Sequence, residues 1–137
     1  MKICSACLLG LKCRYNGTGA PNEKILNLAR KEILLPVCPE QLGGLSTPRL
    51  PVEQRGEKIV SKDGVDMTEY FLRGAEQVLE LARIFNCKEA ILKQRSPSCG
   101  CGQIYDGTFS GTVIKGDGVT TKILKAAGVQ VKSEDDL

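Results

Sequence analysis

Apolar runs and helical patterns alternate along this chain of 137 residues, and the alternation restricts the possible folds more than any other feature. Apolar runs predict strands at 2–6, 32–37, 88–93 and 129–132. Apolar residues at helical spacing predict helices at 21–31, 68–85 and 119–127. Strands that alternate with helices favour a parallel sheet covered on both faces. The sequence therefore predicts one α/β domain over residues 1–137, with a three-layer, open, mostly parallel, Rossmann-like sheet.

Two stretches rich in glycine and proline interrupt this pattern. They cover residues 38–55 and 94–111, which is long for connections in a compact domain, and such loops are often functional. Residues 57–64 are expected to form a short edge strand and turn. Residues 133–137 are expected to form a frayed tail.

The composition argues against nucleic-acid and membrane partners. Aromatic residues make up only 4% of the chain and tryptophan is absent, so stacking surfaces for single strands are not expected. The formal charge of +3 is spread along the chain without runs of like charge. No apolar run approaches the roughly 20 residues of a membrane helix, and no signal-peptide core is evident. We therefore expect a cytoplasmic protein with a small-molecule partner that binds neither nucleic acid nor membranes.

Seven cysteines and no histidine are the most unusual feature of the composition. Disulfides do not persist in the cytosol, and the number of cysteines is odd, so metal or thiol chemistry is expected instead. The absence of histidine excludes Cys–His nucleophile pairs and mixed Cys/His zinc sites.

Three of the cysteines follow predicted strands. Cys7, Cys38 and Cys99 lie in loops beyond the carboxyl ends of the first, second and third strands, where open parallel sheets bind ligands. We expect these three to meet at one site, whereas Cys4 and Cys87 are expected to fill the core. Three thiolates without a fourth partner leave an open position, as in a catalytic iron–sulfur cluster or catalytic zinc site.

Polar residues in the same loops are further candidates for the site. Glu40 stands two residues after Cys38 and can act as a general acid or base in a site without histidine. Serines in a segment such as SPSCG more often make turn hydrogen bonds than perform chemistry. Three arginines can orient an anionic or carbonyl-bearing substrate, or else brace their loops: Arg14, Arg49 and Arg95.

The cysteines also admit a second interpretation as paired motifs. CSAC at 4–7 and CGC at 99–101 are compatible with a four-cysteine zinc site or a redox dithiol. A redox C-x-x-C motif normally follows a strand at the start of a helix, whereas Cys4 lies inside the first predicted strand. A non-catalytic cysteine–zinc or thiol-redox domain is therefore the alternative hypothesis.

Three segments resemble the DUF523 family, whose characterised members are thiouracil desulfurases: CLLGLKCRYNG at 7–17, PVCPEQLGGLSTPRLPVE at 36–53 and LKQRSPSCG at 92–100. They occur in the right order, and the likeness to the family spans nearly the whole chain. The resemblance implies a 4Fe-4S cluster held by Cys7, Cys38 and Cys99, with the fourth iron free to take sulfur from a thiolated pyrimidine such as 2-thiouracil, without net redox change.

The same resemblance suggests roles for the polar residues. Glu40 and Ser96 correspond to the catalytic carboxylate and serine of the family. We assign substrate binding to Ser98, Arg14 and Arg49. Cys13 has no assigned role, because it stands where relatives are expected to carry another residue.

Overall fold

The computed structural model describes all 137 residues and is built around a four-stranded parallel sheet. Its strands are β1 (Lys2–Ser5), β2 (Leu34–Val37), β5 (Glu89–Leu92) and β8 (Gln130–Ser133). Their order in the sheet is β2-β1-β5-β8, and each neighbouring pair is parallel. Two antiparallel hairpins stand outside this sheet: β3 (Val52–Arg55) with β4 (Lys58–Ser61), and β6 (Cys101–Tyr105) with β7 (Val113–Asp117).

Helices cover both faces of the sheet. They are α1 (Glu23–Ala29), the one-turn α2 (Pro39–Leu42), α3 (Thr68–Ile84) and α4 (Val119–Ala126). Ile3 of β1 is buried in one core with Val78 of α3 and Leu124 of α4. The next residue, Cys4, is buried on the opposite face with Ile25 of α1. This alternation confirms the predicted three-layer α/β fold with a mostly parallel sheet. None of the helices has the length and apolar character required to span a membrane.

The two long glycine- and proline-rich stretches contain more regular structure than the sequence suggested. The stretch at 38–55 includes α2 and β3, and β3 pairs with β4 instead of leaving β4 at an edge of the main sheet. The stretch at 94–111 includes β6, in which Gly102 lies opposite Gly116 of β7. Glycine is unfavourable in strands and gives no side-chain pattern, so the β6–β7 hairpin carried no clear signal.

The expectation of a frayed carboxyl terminus was wrong. Residues Glu134–Asp136 form a 3-10 turn, and Ser133 and Asp136 make a reciprocal capping box around it. The Glu134 carboxylate accepts a hydrogen bond from the backbone N–H of Gln94 at 2.7 Å and pairs with Lys93 at 3.1 Å. These contacts therefore hold the carboxyl terminus against the segment that follows β5.

Close backbone contacts fix the elements around the carboxyl ends of the strands. At the crossing of α2 and α3, a Cβ added to Gly74 would overlap the carbonyl oxygen of Pro39, and one added to Gly43 would overlap that of Tyr70. At the start of α4, a Cβ added to Gly118 would lie 2.6 Å from the backbone nitrogen of Cys99. The segments that carry Cys38 and Cys99 are therefore packed backbone to backbone against helices.

Candidate active site

The order of the strands creates a crevice beside β1. The chain runs from β1 to β2 on one side and later enters β5 on the other, so the loops after β1 and β5 diverge, and ligands bind at such switch points. Cys7 lies in the 3-10 turn after β1, Cys38 directly follows β2, and Cys99 lies in the loop after β5. All three line one cavity of about 380 Å³.

The other candidate site residues predicted from the sequence also line this cavity. Its lining includes the predicted carboxylate, serines and arginines: Glu40, Ser96, Ser98, Arg14, Arg49 and Arg95. Cys13 is buried and lines it as well. Cys4 and Cys87 are buried in the two cores and are not among the lining residues.

The paired cysteine motifs do not come together as one four-cysteine group. In CSAC, Cys7 lines the cavity while Cys4 is buried under α1. In CGC, Cys99 lines the cavity while the Cys101 sulfur lies 3.5 Å from the carbonyl oxygen of Val131. No group of three or more cysteine, aspartate or glutamate side chains is arranged to hold a single metal ion.

Burial and neighbouring thiols favour the neutral form of three cavity cysteines, Cys99, Cys38 and Cys13. Burial raises the pKa of Cys99 to about 12, although contacts with the Ser5 and Ser98 hydroxyls oppose the shift. A hydrogen bond with Cys13 and burial together raise the pKa of Cys38. The contact with Cys38 lowers the pKa of Cys13, but the contact with Cys7 and burial leave it raised overall. Binding of a metal by these thiols would therefore release protons.

Glu40 is held at both carboxylate oxygens. Oε1 accepts a hydrogen bond from Nε of Arg49 at 3.1 Å, and Oε2 accepts one from the hydroxyl of Ser98 at 2.9 Å. The side chains of Glu40 and Arg49 are only 14% and 8% exposed, so this ion pair is largely shielded from water. A shielded carboxylate with fixed partners is a suitable general acid or base for a ligand in the cavity.

The two serines have different positions relative to Glu40. The Ser96 hydroxyl oxygen accepts the backbone N–H groups of Ser98 and Cys99 at 3.2 and 3.1 Å, which closes the turn that presents Cys99. The Ser96 and Ser98 hydroxyls lie 3.0 Å apart. Because Ser98 donates its proton to Glu40, the hydroxyl of Ser96 donates to Ser98. Ser98 therefore contacts the carboxylate directly, and Ser96 is one hydrogen bond further away.

The arginines also differ in how far their guanidinium groups are engaged. Besides Glu40, Arg49 donates to the carbonyl oxygens of Ser46 at 3.1 Å and Cys13 at 2.9 Å, and to the Thr47 hydroxyl at 2.8 Å. Arg14 makes one long hydrogen bond of 3.4 Å to Thr18 and lies 6.0 Å from the ring centre of Tyr15. Arg49 thus connects its own loop to α2 and to the Cys13 loop, while Arg14 has more freedom to bind a ligand.

Sequence reasoning missed the residues that the β6–β7 hairpin contributes. Tyr105 and Phe109 line the cavity, together with Glu53 of β3. The hairpin was treated as irregular loop, so its side chains were not assigned to the site. Two aromatic residues within a glycine-rich segment, in a chain with few aromatics, were the signal that could have found them.

The fold and site define an α/β protein with a thiol-lined cavity at the switch point of its sheet. The family model described as 2-thiouracil desulfurase matches residues 3–136, so the chain belongs to that family. This confirms the family expected from the three sequence segments.

Two relatives match over nearly the whole chain. The protein YbbK of Bacillus subtilis (strain 168) is 47% identical over 147 residues, covering 100% of this chain and 97% of the relative. A solved structure of a [4Fe-4S]-dependent thiouracil desulfidase, TudS (DUF523Vcz), is 45% identical, with a TM-score of 0.94. The match covers 99% of this chain and 91% of that one.

Proposed function

We propose that this protein is a cytoplasmic desulfurase that converts the thiocarbonyl of a pyrimidine such as 2-thiouracil to a carbonyl, with a 4Fe-4S cluster held by Cys7, Cys38 and Cys99. The observation that carries the proposal is the convergence of these three thiols on the same cavity as the Glu40 carboxylate. Family membership and the likeness to TudS support it.

The donor set fits such a cluster. Three thiols are soft ligands, which suit iron–sulfur clusters and zinc, and a zinc site needs its sulfurs about 2.3 Å from one point. A cluster instead distributes its thiolates over different irons, and three thiolates leave one iron without a protein ligand. When bound, the cluster would supply a Lewis-acidic iron with affinity for the thiocarbonyl sulfur.

The protein's own residues would bring water to the carbon. Glu40 accepts a proton from a water molecule while the oxygen of that water attacks the carbon of the thiocarbonyl. A C–O bond forms as the C–S bond breaks. Glu40 then returns this proton to the departing sulfur, directly or by way of a ring nitrogen. The second proton of the water passes from the new carbonyl oxygen to the same sulfur, which leaves as hydrogen sulfide. The balance is thiocarbonyl plus water giving carbonyl plus hydrogen sulfide, so the reaction needs no oxidant or reductant.

The neighbours of Glu40 control its position. Arg49 and Ser98 hold one oxygen each, so the carboxylate has little freedom to rotate away from the cavity. Ser96 supports the Ser98 hydroxyl and the turn before Cys99. Arg14, whose guanidinium has a single protein hydrogen bond, is the arginine best placed to bind the substrate.

The first test removes the proton acceptor and leaves the thiols. Glu40→Gln keeps the size of the side chain, so the protein should retain its iron while uracil and sulfide release per bound iron falls about 100- to 10,000-fold. Ser98→Ala should lose about 10- to 150-fold, because the hydrogen bond it removes goes to a charged carboxylate and such bonds contribute about 1.5–3 kcal/mol. Glu57→Gln, at an exposed carboxylate in the β3–β4 turn, is the matched control and should leave activity unchanged.

Anaerobically purified protein is required, and iron, sulfide and zinc are measured together with turnover of 2-thiouracil. Colourless protein with tightly bound zinc would favour the non-catalytic metal-binding alternative. Near wild-type turnover by Glu40→Gln would show that the carboxylate only braces its loop.

A further inference from the structure

Aromatic side chains are concentrated at the cavity. The chain contains three tyrosines, three phenylalanines and no tryptophan. Tyr15, Tyr105 and Phe109 line the cavity, whereas the other three aromatic residues lie on or at the end of α3. The catalytic groups described above do not use these rings, so their collection at one site requires a separate explanation.

Phe109 is held in an unusual backbone conformation. Its φ is 56°, in the left-handed region, which side chains larger than glycine, asparagine or aspartate rarely adopt. Such conformations persist where the surroundings impose them, and they occur preferentially at functional sites. Phe109 lies at the tip of the β6–β7 hairpin, in a segment with Gly107 and Gly111 on either side.

Two residues of β3 impose this conformation. Oε1 of Glu53 accepts the backbone N–H groups of Gly107 at 3.0 Å and Phe109 at 3.1 Å. Nε and Nη2 of Arg55 both donate to the carbonyl oxygen of Gly107, at 3.2 and 2.8 Å. Three backbone groups at the tip of the β6–β7 hairpin are therefore hydrogen-bonded to the neighbouring β3–β4 hairpin. These hydrogen bonds hold Phe109 in the wall of the cavity.

We propose that Phe109 is a substrate-binding residue whose ring stacks on the face of the thiolated pyrimidine, and that Glu53 is a positioning residue that holds Phe109 in place. The inference rests on the proposed function, and it adds how the ring of the substrate is recognised. A pyrimidine is planar and offers the same π-face before and after desulfuration. Stacking should therefore strengthen the binding of substrate, transition state and product alike.

Uniform binding of this kind has a distinct kinetic signature. A change that removes it raises KM and leaves kcat unchanged, unlike a change at Glu40. Alanine substitutions at aromatic stacking positions typically weaken binding roughly 5- to 150-fold. We expect Phe109→Leu, which keeps apolar bulk, to fall near the lower end of that range, and Phe109→Tyr to restore wild-type binding.

The test uses holoenzyme purified without oxygen. KM and kcat for 2-thiouracil are measured per bound iron, and the dissociation constant of uracil is measured by calorimetry. Phe109→Leu should raise both KM and the dissociation constant at least about fivefold with unchanged kcat and iron content. Glu53→Gln should shift binding in the same direction, because a neutral amide holds the two backbone N–H groups less strongly. Phe85→Leu is the matched control, since Phe85 is exposed at the end of α3.

A stability measurement separates binding from a purely structural role. Phe109→Asn places a residue that tolerates positive φ at the tip, so its melting temperature should equal or exceed that of the wild type while uracil binding weakens. Unchanged KM and uracil affinity in Phe109→Leu, with an active wild type, would overturn the stacking role. A wild type loaded with cluster that does not turn over 2-thiouracil would instead contradict the proposed function.

Discussion

Replacing Gly74 with alanine tests whether the packing of α2 on α3 controls the site. Gly74 is buried in the middle of α3, directly under the one-turn helix that begins after Cys38 and contains Glu40. A Cβ at this position would overlap the carbonyl oxygen of Pro39 and lie 2.8 Å from its carbonyl carbon. Since ordinary contact begins near 3.4 Å, α2 must retreat by about 0.6 Å to clear the carbon alone, and further to clear the oxygen.

Two opposing effects set the change in stability. Alanine is favoured over glycine inside a helix by about 1 kcal/mol. Overpacking typically costs about 1–3 kcal/mol, and the upper end applies here because the opposing atoms are backbone and cannot change rotamer. The free energy of unfolding should therefore fall by about 2 kcal/mol, which lowers the melting temperature of a chain of this length by about 7 °C.

The same displacement should reduce activity more than it reduces stability. Moving α2 stretches the hydrogen bond between Glu40 and Ser98, now 2.9 Å, and a misplacement near 1 Å commonly costs about 100-fold in rate. Thermal unfolding and turnover per bound iron measure the two effects, with Gln77→Ala on the exposed face of α3 as the control. Wild-type stability and turnover in Gly74→Ala would refute the view that this crossing positions Glu40.

Two further predictions concern cysteines. Cys38→Ala should lose most of the bound iron, because two thiolates hold a cluster poorly, whereas Cys13→Ala should retain its iron. Iron analysis of the anaerobically purified variants measures both effects. Full iron content in Cys38→Ala would contradict the ligand assignment. Burial raises the pKa of Cys4 from 9.0 in the unfolded chain to about 12 in the folded protein. The contribution of its neutral thiol to the free energy of unfolding is therefore fully present below pH 9. Between pH 9 and pH 12 this contribution is lost at about 1.4 kcal/mol per pH unit. Urea unfolding between about pH 8 and pH 10.5 should thus show a steeper loss for the wild type than for Cys4→Ala, and equal slopes would show that Cys4 does not titrate in this way.

The fold was predictable where the apolar pattern was strong. The central strands and α3 have buried faces with clear periodicity, so their type and approximate bounds followed from the sequence. The β6–β7 hairpin was missed because little of it is buried: in β7, Val113, Ile114 and Lys115 are all exposed. In the β3–β4 hairpin, β4 was expected as a strand, but its partner β3 was not. The regular conformation of the carboxyl-terminal residues was also not predicted, because it depends on contacts of Glu134 with Lys93 and Gln94, which are remote in sequence.

The convergence of the three cysteine-bearing loops was predictable from the sequence, whereas the contacts within the cavity were not. Position after a strand was enough to indicate that Cys7, Cys38 and Cys99 share a cavity, because parallel strands end at the same edge of a sheet. Nothing in the sequence distinguished Arg14 from Arg49. That distinction depends on the path of residues 44–51, which brings the Arg49 guanidinium to Glu40 and to the Cys13 carbonyl.

The register of the central sheet explains why the first two thiols cannot move independently. Ser5 of β1 lies opposite Val37 of β2. Cys7 follows Ser5 by two residues and Cys38 follows Val37 by one, so both thiols lie just beyond a paired position of the two strands. A shift of β2 by one residue would turn Val37 from the core under α3 to the opposite face, because successive strand residues alternate sides. The hydrophobic pattern that stabilises the sheet therefore also fixes where these two sulfurs enter the cavity. Cys99 lies seven residues beyond Leu92, and its position depends instead on the Ser96 turn and on the backbone contact with Gly118.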